Sequence, residues 1–172
     1  MKIFQKINET DIKVSHFFVK FYHHHFLNKL MIFIAGSGDF GMIWLAIILL
    51  LSLNSTTRVL SQKMLAALLA ATLAGQVTIK SLVKRKRPCH TFKDVKMLVP
   101  VPSDYSFPSG HTTSSFACAV SIYLFNPIAG IIFISFAILM AFSRLYLFVH
   151  YLSDVVFAIL LGTTIGIIIA LI

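Results

Sequence analysis

The sequence predicts an all-α integral membrane protein, a bundle of about six transmembrane helices formed by one domain over residues 1–172. Hydrophobic residues make up 58% of the chain and charged residues only 12%, about half the charged share of a soluble domain. Long uncharged segments also recur along the chain. A water-soluble fold of this length could not bury so much apolar surface, so the lipid bilayer is the expected surrounding.

The N-terminal segment, residues 1–35, has the weakest pattern of the six predicted spans. Residues 14–35 are apolar but are interrupted by Lys20, by Lys29 and by three consecutive histidines. This pattern fits an interfacial amphipathic helix followed by a short inserted piece, or a first span interrupted by charges. Residues 36–39 have the composition of a turn.

Five further segments are apolar and free of charge, and each is predicted to span the bilayer. Asn126-Pro127 divides the longest uncharged run into two spans joined by a tight turn. The segments are residues 40–57, 64–79, the two halves of 112–143, and 155–172.

Residues 80–109 form the one long polar stretch and are predicted to be an extramembrane loop at the active site. The stretch holds seven of the fifteen lysines and arginines and four of the five prolines. Asp94 and Asp104 within it are interpreted as solvated loop residues. Cationic residues divide almost equally, seven and eight, between the two faces of the bundle. The positive-inside rule therefore does not choose an orientation.

Three polar clusters stand at the ends of predicted spans, and connectivity alone brings them to one membrane face. They are Lys80-x6-Arg87-Pro88, Pro108-Ser109-Gly110-His111, and Ser143-Arg144-x5-His150-x3-Asp154. The span ending at Lys80 leaves the membrane where the chain returns at Gly110. The following helical hairpin comes back to the same face at Arg144.

The residue types in these clusters predict phosphate chemistry. Lys80, Arg87 and Arg144 supply three cations, and the two guanidinium groups can bind phosphate oxygens bidentately. Backbone N–H groups around Ser109-Gly110, at an expected helix start, add donors for an anion. Phosphoryl transfer depends mainly on positioning and charge stabilisation, which such a cluster provides.

Two histidines and an aspartate complete the predicted site. His150 and Asp154 are spaced i, i+4, so on a helix the carboxylate could accept a hydrogen bond from one ring nitrogen and leave the other free to attack phosphorus. His111 then suits the general acid and base. Cys89 and Cys118 lack metal-ligand or disulfide spacing, so no metal site and no cofactor is predicted.

The three clusters resemble the signature motifs of the type 2 phosphatidic acid phosphatase superfamily, which also contains vanadium haloperoxidases and bacterial acid phosphatases. Every motif position is matched between residues 80 and 154. The resemblance implies a six-helix membrane core, His150 as nucleophile and His111 as acid and base. It also implies Asp154 as the orienting carboxylate and phosphate ligands at the positions that follow: Lys80, Arg87, Ser109, Gly110 and Arg144.

The expected substrate is therefore a membrane lipid phosphate or diphosphate, hydrolysed through a phosphohistidine. Undecaprenyl diphosphate, lipid A 1-phosphate, phosphatidylglycerol phosphate and phosphatidic acid are the candidates. The run Lys84-Arg85-Lys86 is predicted to contact a multiply charged head group. A bacterial cytoplasmic membrane with an outward-facing site is the location that the resemblance implies. A lipid phosphotransferase and a non-catalytic lipid-binding or transport protein are the alternatives. No nucleic-acid partner is expected because no soluble basic module is present.

Overall fold

The computed structural model describes residues 2–172, and their regular elements are all helical. A 3₁₀ turn, Asp39–Gly41, follows the second helix, and a π-helical stretch, Thr72–Ile79, joins the fourth helix to the fifth. The helices are α1 (Lys2–Val19), α2 (His25–Ser37), α3 (Met42–Ser52), α4 (Arg58–Ala71), α5 (Lys80–Val83), α6 (Pro88–Thr91), α7 (Gly110–Phe125), α8 (Pro127–Tyr146) and α9 (Leu152–Leu171).

Several helices are long and apolar enough to cross a bilayer, which makes this a multi-pass membrane protein. Three helical regions meet that condition within the described chain: Arg58–Thr91, Pro127–Tyr146 and Leu152–Leu171. The bent pair His25–Ser37 and Asp39–Ser52, with an angle of 51° at its break, adds a fourth if it is one span. These helices are three or four candidate spans by length and composition, and the expected total of six stays a prediction.

The two N-terminal segments compare differently with their expected forms. Residues 14–35 are divided between α1 and α2, as in the alternative of a helix followed by a short second piece, and the Asn28 side chain caps the connection by donating to Tyr22 O at 2.7 Å. The expected span 40–57 is wrong in extent, because α3 has 11 residues and covers only about 16 Å. Phe40 and Gly41 take positive φ values of 53° and 70°, and this left-handed backbone ends the helical run.

The polar stretch 80–109 is more helical than expected. The helix that begins at Arg58 continues without interruption to Val83, and it ends at Lys84, whose φ of 50° is left-handed. Pro88 then occupies the first turn of α6, where its missing N–H has no cost. The remainder of the stretch, after Thr91, is irregular as predicted.

Helix α7 is the centre of the bundle and packs against α4, α8 and α9. Its close approach to α9 depends on Gly162 and Gly166, since a Cβ atom at Gly166 would lie 2.7 Å from the carbonyl oxygen of Ala117. Small residues four apart allow such close helix contact within a membrane. This packing fixes the start of α7 beside the start of α9, where the polar clusters meet.

Candidate active site

A cavity of about 880 Å³ opens at the end of the bundle where α5 ends and where α7 and α9 begin. Each of the three sequence clusters contributes to its polar end, and α3 and α4 form an apolar flank. The polar residues are Asp39, Lys80, Arg87, Asp104, Gly110, His111, Arg144 and His150, and the apolar ones include Phe40, Leu45, Leu68 and Leu69.

His150 lies between α8 and α9 and is almost completely buried, at 1% exposure. Its Nε2 atom is 3.0 Å from a terminal nitrogen of Arg87. Because a guanidinium can only donate, Nε2 is the accepting nitrogen and the ring proton is on Nδ1. Burial lowers the pKa of His150 to about 3, and the charge of Arg87 acts in the same direction. The imidazole is therefore neutral near pH 7, with its lone pair at Nε2.

Asp154 lies near His150 but does not form the expected hydrogen bond with it. The two residues do not share a helix face, because α9 begins at Leu152. His150 Nδ1 and Asp154 Oδ2 are 3.7 Å apart, and Nδ1 has no hydrogen-bond partner among the described residues. Instead, Oδ2 accepts from Tyr151 N at 2.9 Å and from the Ser106 hydroxyl. This carboxylate therefore also caps the start of α9.

Arg85 is held in a buried ion cluster, which we define as Asp11, Arg85, Ser153 and Asp154. One terminal nitrogen donates to Asp154 at 2.6 Å and to Ser153 at 2.7 Å, and the other donates to Asp11 at 2.7 Å. The guanidinium also stacks on the ring of Tyr151, 4.1 Å from its centroid. Arg85 therefore has partners within the protein, and its expected head-group contact stays a prediction. Lys84 and Lys86 are exposed, and their head-group role stays a prediction.

Three cavity cations, Lys80, Arg87 and Arg144, lie on separate elements around His150 and are each at most 7% exposed. Lys80 Nζ contacts Asp104 Oδ2 at 2.6 Å, and Arg87 contacts Asp104 Oδ1 at 2.7 Å. The Nε atom of Arg144 has no hydrogen-bond partner among the described residues. No described carboxylate forms an ion pair with Arg144, so this buried charge is free to interact with an anion in the cavity.

Asp104 is not the solvated loop residue that the sequence suggested. Its carboxylate joins Lys80 to Arg87 while about half of its side chain stays exposed. Hydrogen bonds and charge from these two cations lower the pKa of Asp104 to about 2, against the opposing effect of burial. Asp104 is therefore ionised near pH 7 and keeps the two cations in fixed positions.

The start of α7 supplies backbone donors but not the predicted side-chain ligand. Gly110 lines the cavity, whereas Ser109 is fully buried and its hydroxyl contacts Thr112 Oγ1 at 2.9 Å. A Cβ atom at Gly110 would collide with the amide end of the Gln76 side chain, so a larger residue there would require Gln76 to move. Phosphate binding by the Ser109 side chain stays a prediction.

His111 faces the cavity from the first turn of α7 and has a carboxylate partner. Its Nε2 atom lies 2.9 Å from Oδ1 of Asp39, which belongs to the turn between α2 and α3. Asp39 is 72 residues away in sequence and lies outside the three motifs.

Sequence reasoning missed the ionic partners Asp11, Asp39 and Asp104. Composition held a usable signal, because the chain has six acidic residues against fifteen lysines and arginines. In so apolar a chain, each acidic residue should pair with a cation or face water. Four of the six do pair: Asp11, Asp39, Asp104 and Asp154.

Fold and cavity together define a helical membrane protein with a cation-lined cavity at one end of the bundle. Residues 61–172, well over half of the chain, match the family model of the PAP2 superfamily. The chain therefore belongs to that superfamily, and the resemblance predicted from the motifs is confirmed.

Three similar proteins extend this finding. An undecaprenyl-diphosphatase of Sulfolobus acidocaldarius is 33% identical over 144 residues, which are 81% of this chain and 68% of the relative. The structure of a PAP2-type phosphatidylglycerolphosphate phosphatase from Bacillus subtilis has a TM-score of 0.78 and 25% identity, covering 95% and 84% of the two chains. Aquifex aeolicus LpxE shares the fold, with a TM-score of 0.82 at 22% identity over 94% and 95%.

Proposed function

We propose that the protein is an integral-membrane phosphatase that removes the terminal phosphate from a lipid phosphate or diphosphate. The observation that carries this proposal is the buried, unpaired guanidinium of Arg144 in a cavity that also holds the neutral imidazole of His150. An uncompensated buried cation is costly, and a phosphoryl group at this point would offset its charge.

His150 is the proposed nucleophile. Its Nε2 lone pair attacks phosphorus while Arg87, now 3.0 Å from that nitrogen, donates to a phosphate oxygen. As the bond to Nε2 forms, the bond to the lipid oxygen breaks, and protonated His111 gives its proton to that oxygen. Water, deprotonated by His111, then attacks the phosphohistidine and releases phosphate.

The remaining site residues bind and orient. Lys80, Arg87 and Arg144, together with the backbone N–H groups at the start of α7, stabilise the negative charge of the transferring phosphoryl group. Asp154 lies on the Nδ1 side of His150 at 3.7 Å. From there it stabilises the positive charge that develops on the ring during attack.

The apolar flank of the cavity fits the lipid part of the substrate. Phe40, Leu45, Leu68 and Leu69 extend the lining away from the cations, between α3 and α4. We place undecaprenyl diphosphate first among the four candidate lipids, because the relative that matches 81% of this chain carries that name.

Phosphate release from the four lipids tests this function. Purified protein in detergent with excess chelator should release phosphate from at least one of them, and His150→Ala should abolish the release. His90→Ala is a matched control, because His90 borders the neighbouring cavity and does not line this one. Lipid binding without turnover would contradict the proposal and favour the binding protein. Transfer of labelled phosphate to another lipid would favour the phosphotransferase, and loss of activity with the chelator would contradict a metal-free reaction.

We also propose six spans in a bacterial cytoplasmic membrane, with the site on the outer face. Lys96→Cys tests the orientation, because Lys96 is exposed on the site side and the two natural cysteines are buried. An impermeant thiol reagent should label this variant in intact cells. Labelling only after the membrane is opened would contradict the outward orientation.

A further inference from the structure

The turn between α2 and α3 contacts a residue that the proposed reaction uses. Asp39 Oδ1 lies 2.9 Å from Nε2 of His111, and Gly38 lies against the same edge of the ring. A Cβ atom at Gly38 would be 2.9 Å from Cδ2 of His111 and 2.6 Å from Met140. The Gly38–Asp39 turn therefore holds the Nε2–Cδ2 edge of the imidazole, and the edge that carries Nδ1 faces away from it.

The charges around His111 make this contact significant. Burial is the largest influence that lowers the pKa of His111, and the charges of Arg144 on α8 and of Arg87 in the polar stretch act in the same direction. Asp39 opposes them from the α2–α3 turn, and its carboxylate is the one that contacts the ring. A general acid has to carry a proton beside these cations before it can give it away. A carboxylate within hydrogen-bond distance stabilises that protonated form.

We propose that Asp39 is a positioning residue for the general acid, which it holds by accepting the Nε2 proton of His111. This inference rests on the proposed phosphatase function and adds to it a residue from outside the three sequence motifs. The proton that moves is then the one on Nδ1. It passes to the leaving oxygen as the phosphorus–oxygen bond breaks, and water returns a proton to Nδ1 in the second step.

The backbone conformation of the α2–α3 turn supports a fixed position for the Asp39 side chain. Phe40 and Gly41 both have positive φ, at 53° and 70°, and phenylalanine rarely adopts that conformation. Phe40 is 95% exposed and lines the apolar flank of the same cavity. One turn thus places Asp39 against His111 and Phe40 on the apolar side of the cavity.

Leaving groups of different basicity separate this role from a structural one. An alkyl phosphate such as short-chain phosphatidic acid leaves as a strongly basic alkoxide and needs a proton, whereas nitrophenyl phosphate leaves as a stable phenolate. Asp39→Asn should lower kcat/KM, which reports formation of the phosphohistidine, by about 10–100-fold for the alkyl ester, within the usual contribution of a general acid. It should lower kcat/KM for the nitrophenyl ester less than about threefold. Asp39→Glu should recover part of the alkyl-ester activity.

The controls keep the two proposals distinct. Wild-type turnover of both esters, lost in His150→Ala, supports the phosphatase function independently of Asp39. An equal loss for both esters in Asp39→Asn, or no loss for either, would overturn the positioning role and leave the phosphatase standing. A wild-type protein that hydrolyses neither ester would overturn the phosphatase proposal and this inference with it. Asp94→Asn is the matched control because Asp94 is exposed and lines neither cavity.

Discussion

The buried ion cluster and the cavity cations lie near each other but differ in how fully their cations are paired with carboxylates. In the cluster, Arg85 is bound to two carboxylates and a hydroxyl, and Asp11 and Asp154 are at most 1% exposed. In the cavity, Lys80 and Arg87 share a single half-exposed carboxylate, and Arg144 pairs with none of the carboxylates that the structure describes.

This difference separates cations that hold the fold from cations that bind a ligand. Asp11 also accepts from Ser153 N at 2.8 Å, so the ion cluster connects α1 to the start of α9. The cavity cations have fewer carboxylate partners than Arg85 has, so their charge is available to a phosphoryl group. We expect substitution of Asp11 or Arg85 to change stability, substitution of the cavity cations to change activity, and substitution of Asp154, which belongs to the cluster and also lies beside His150, to change both.

Arg144→Ala tests the cavity side of this comparison and should have the largest effect. Loss of one cation that contacts the transition state should reduce kcat/KM by about 10²–10³-fold, as for other charge-stabilising donors. The thermal midpoint should stay equal or rise, because a buried charge without a partner is removed. Arg58→Ala, an exposed arginine at the start of α4, is the control. A large loss of stability in Arg144→Ala would show that this residue belongs to the fold.

Arg85→Met tests the stabilising role of the buried ion cluster. The substitution leaves Asp11 and Asp154 buried without their cation, so the free energy of unfolding should fall by about 3–5 kcal/mol. Unfolding in detergent, followed by circular dichroism, measures this loss. Asp11→Asn in the same chain should recover part of it. An Arg85→Met protein as stable as the wild type would contradict the structural role of the cluster.

His150 should also make the fold sensitive to acid. Its pKa in the folded protein is about 3, below the value near 6.5 of the unfolded chain. Between these values the unfolded chain binds more protons, so stability falls as pH decreases from about 6.5. From pH 7 to pH 5 the loss should be about 1–2 kcal/mol. His150→Gln should show a smaller decrease over the same interval, and an identical decrease in both proteins would contradict the neutral, buried imidazole.

Asp104→Asn should have the smallest effect. Asp104 places a negative charge between Lys80 and Arg87, so its removal should strengthen binding of inorganic phosphate by a few-fold. Competitive inhibition of lipid hydrolysis by phosphate measures that affinity. Weaker inhibition would mean that Asp104 is needed to hold the cations in place, and Asp94→Asn again serves as the control.

The sequence predicted the phosphate-site residues because their spacing is local or follows span connectivity. Lys80 and Arg87 lie seven residues apart, and the hairpin of α7 and α8 returns Arg144 to the face where His111 begins. The cavity indeed contains both histidines and all three cations. The helical membrane fold was also predictable, since uncharged runs of this length have few other solutions.

The acidic partners and some helix boundaries were not predicted, because they depend on tertiary contacts that have no sequence pattern. Asp39 and Asp11 contact residues 72 and 74 positions away, and nothing in their neighbourhoods marks them. The irregular start of α9 also escaped prediction, because the i, i+4 rule assumes that His150 is already helical. The positive φ values of Phe40 and Gly41 also moved the start of an expected span to Met42, and phenylalanine gives no turn signal.

Trapping the phosphoryl group on His150 tests the central claim most directly. The wild-type protein should be mixed with labelled lipid phosphate, quenched at alkaline pH, where phosphohistidine survives, and analysed by peptide mass spectrometry. The account predicts a phosphoryl group on His150 that appears before phosphate release and is absent from His150→Ala. Label on another residue, or full-rate hydrolysis by His150→Ala, would contradict it.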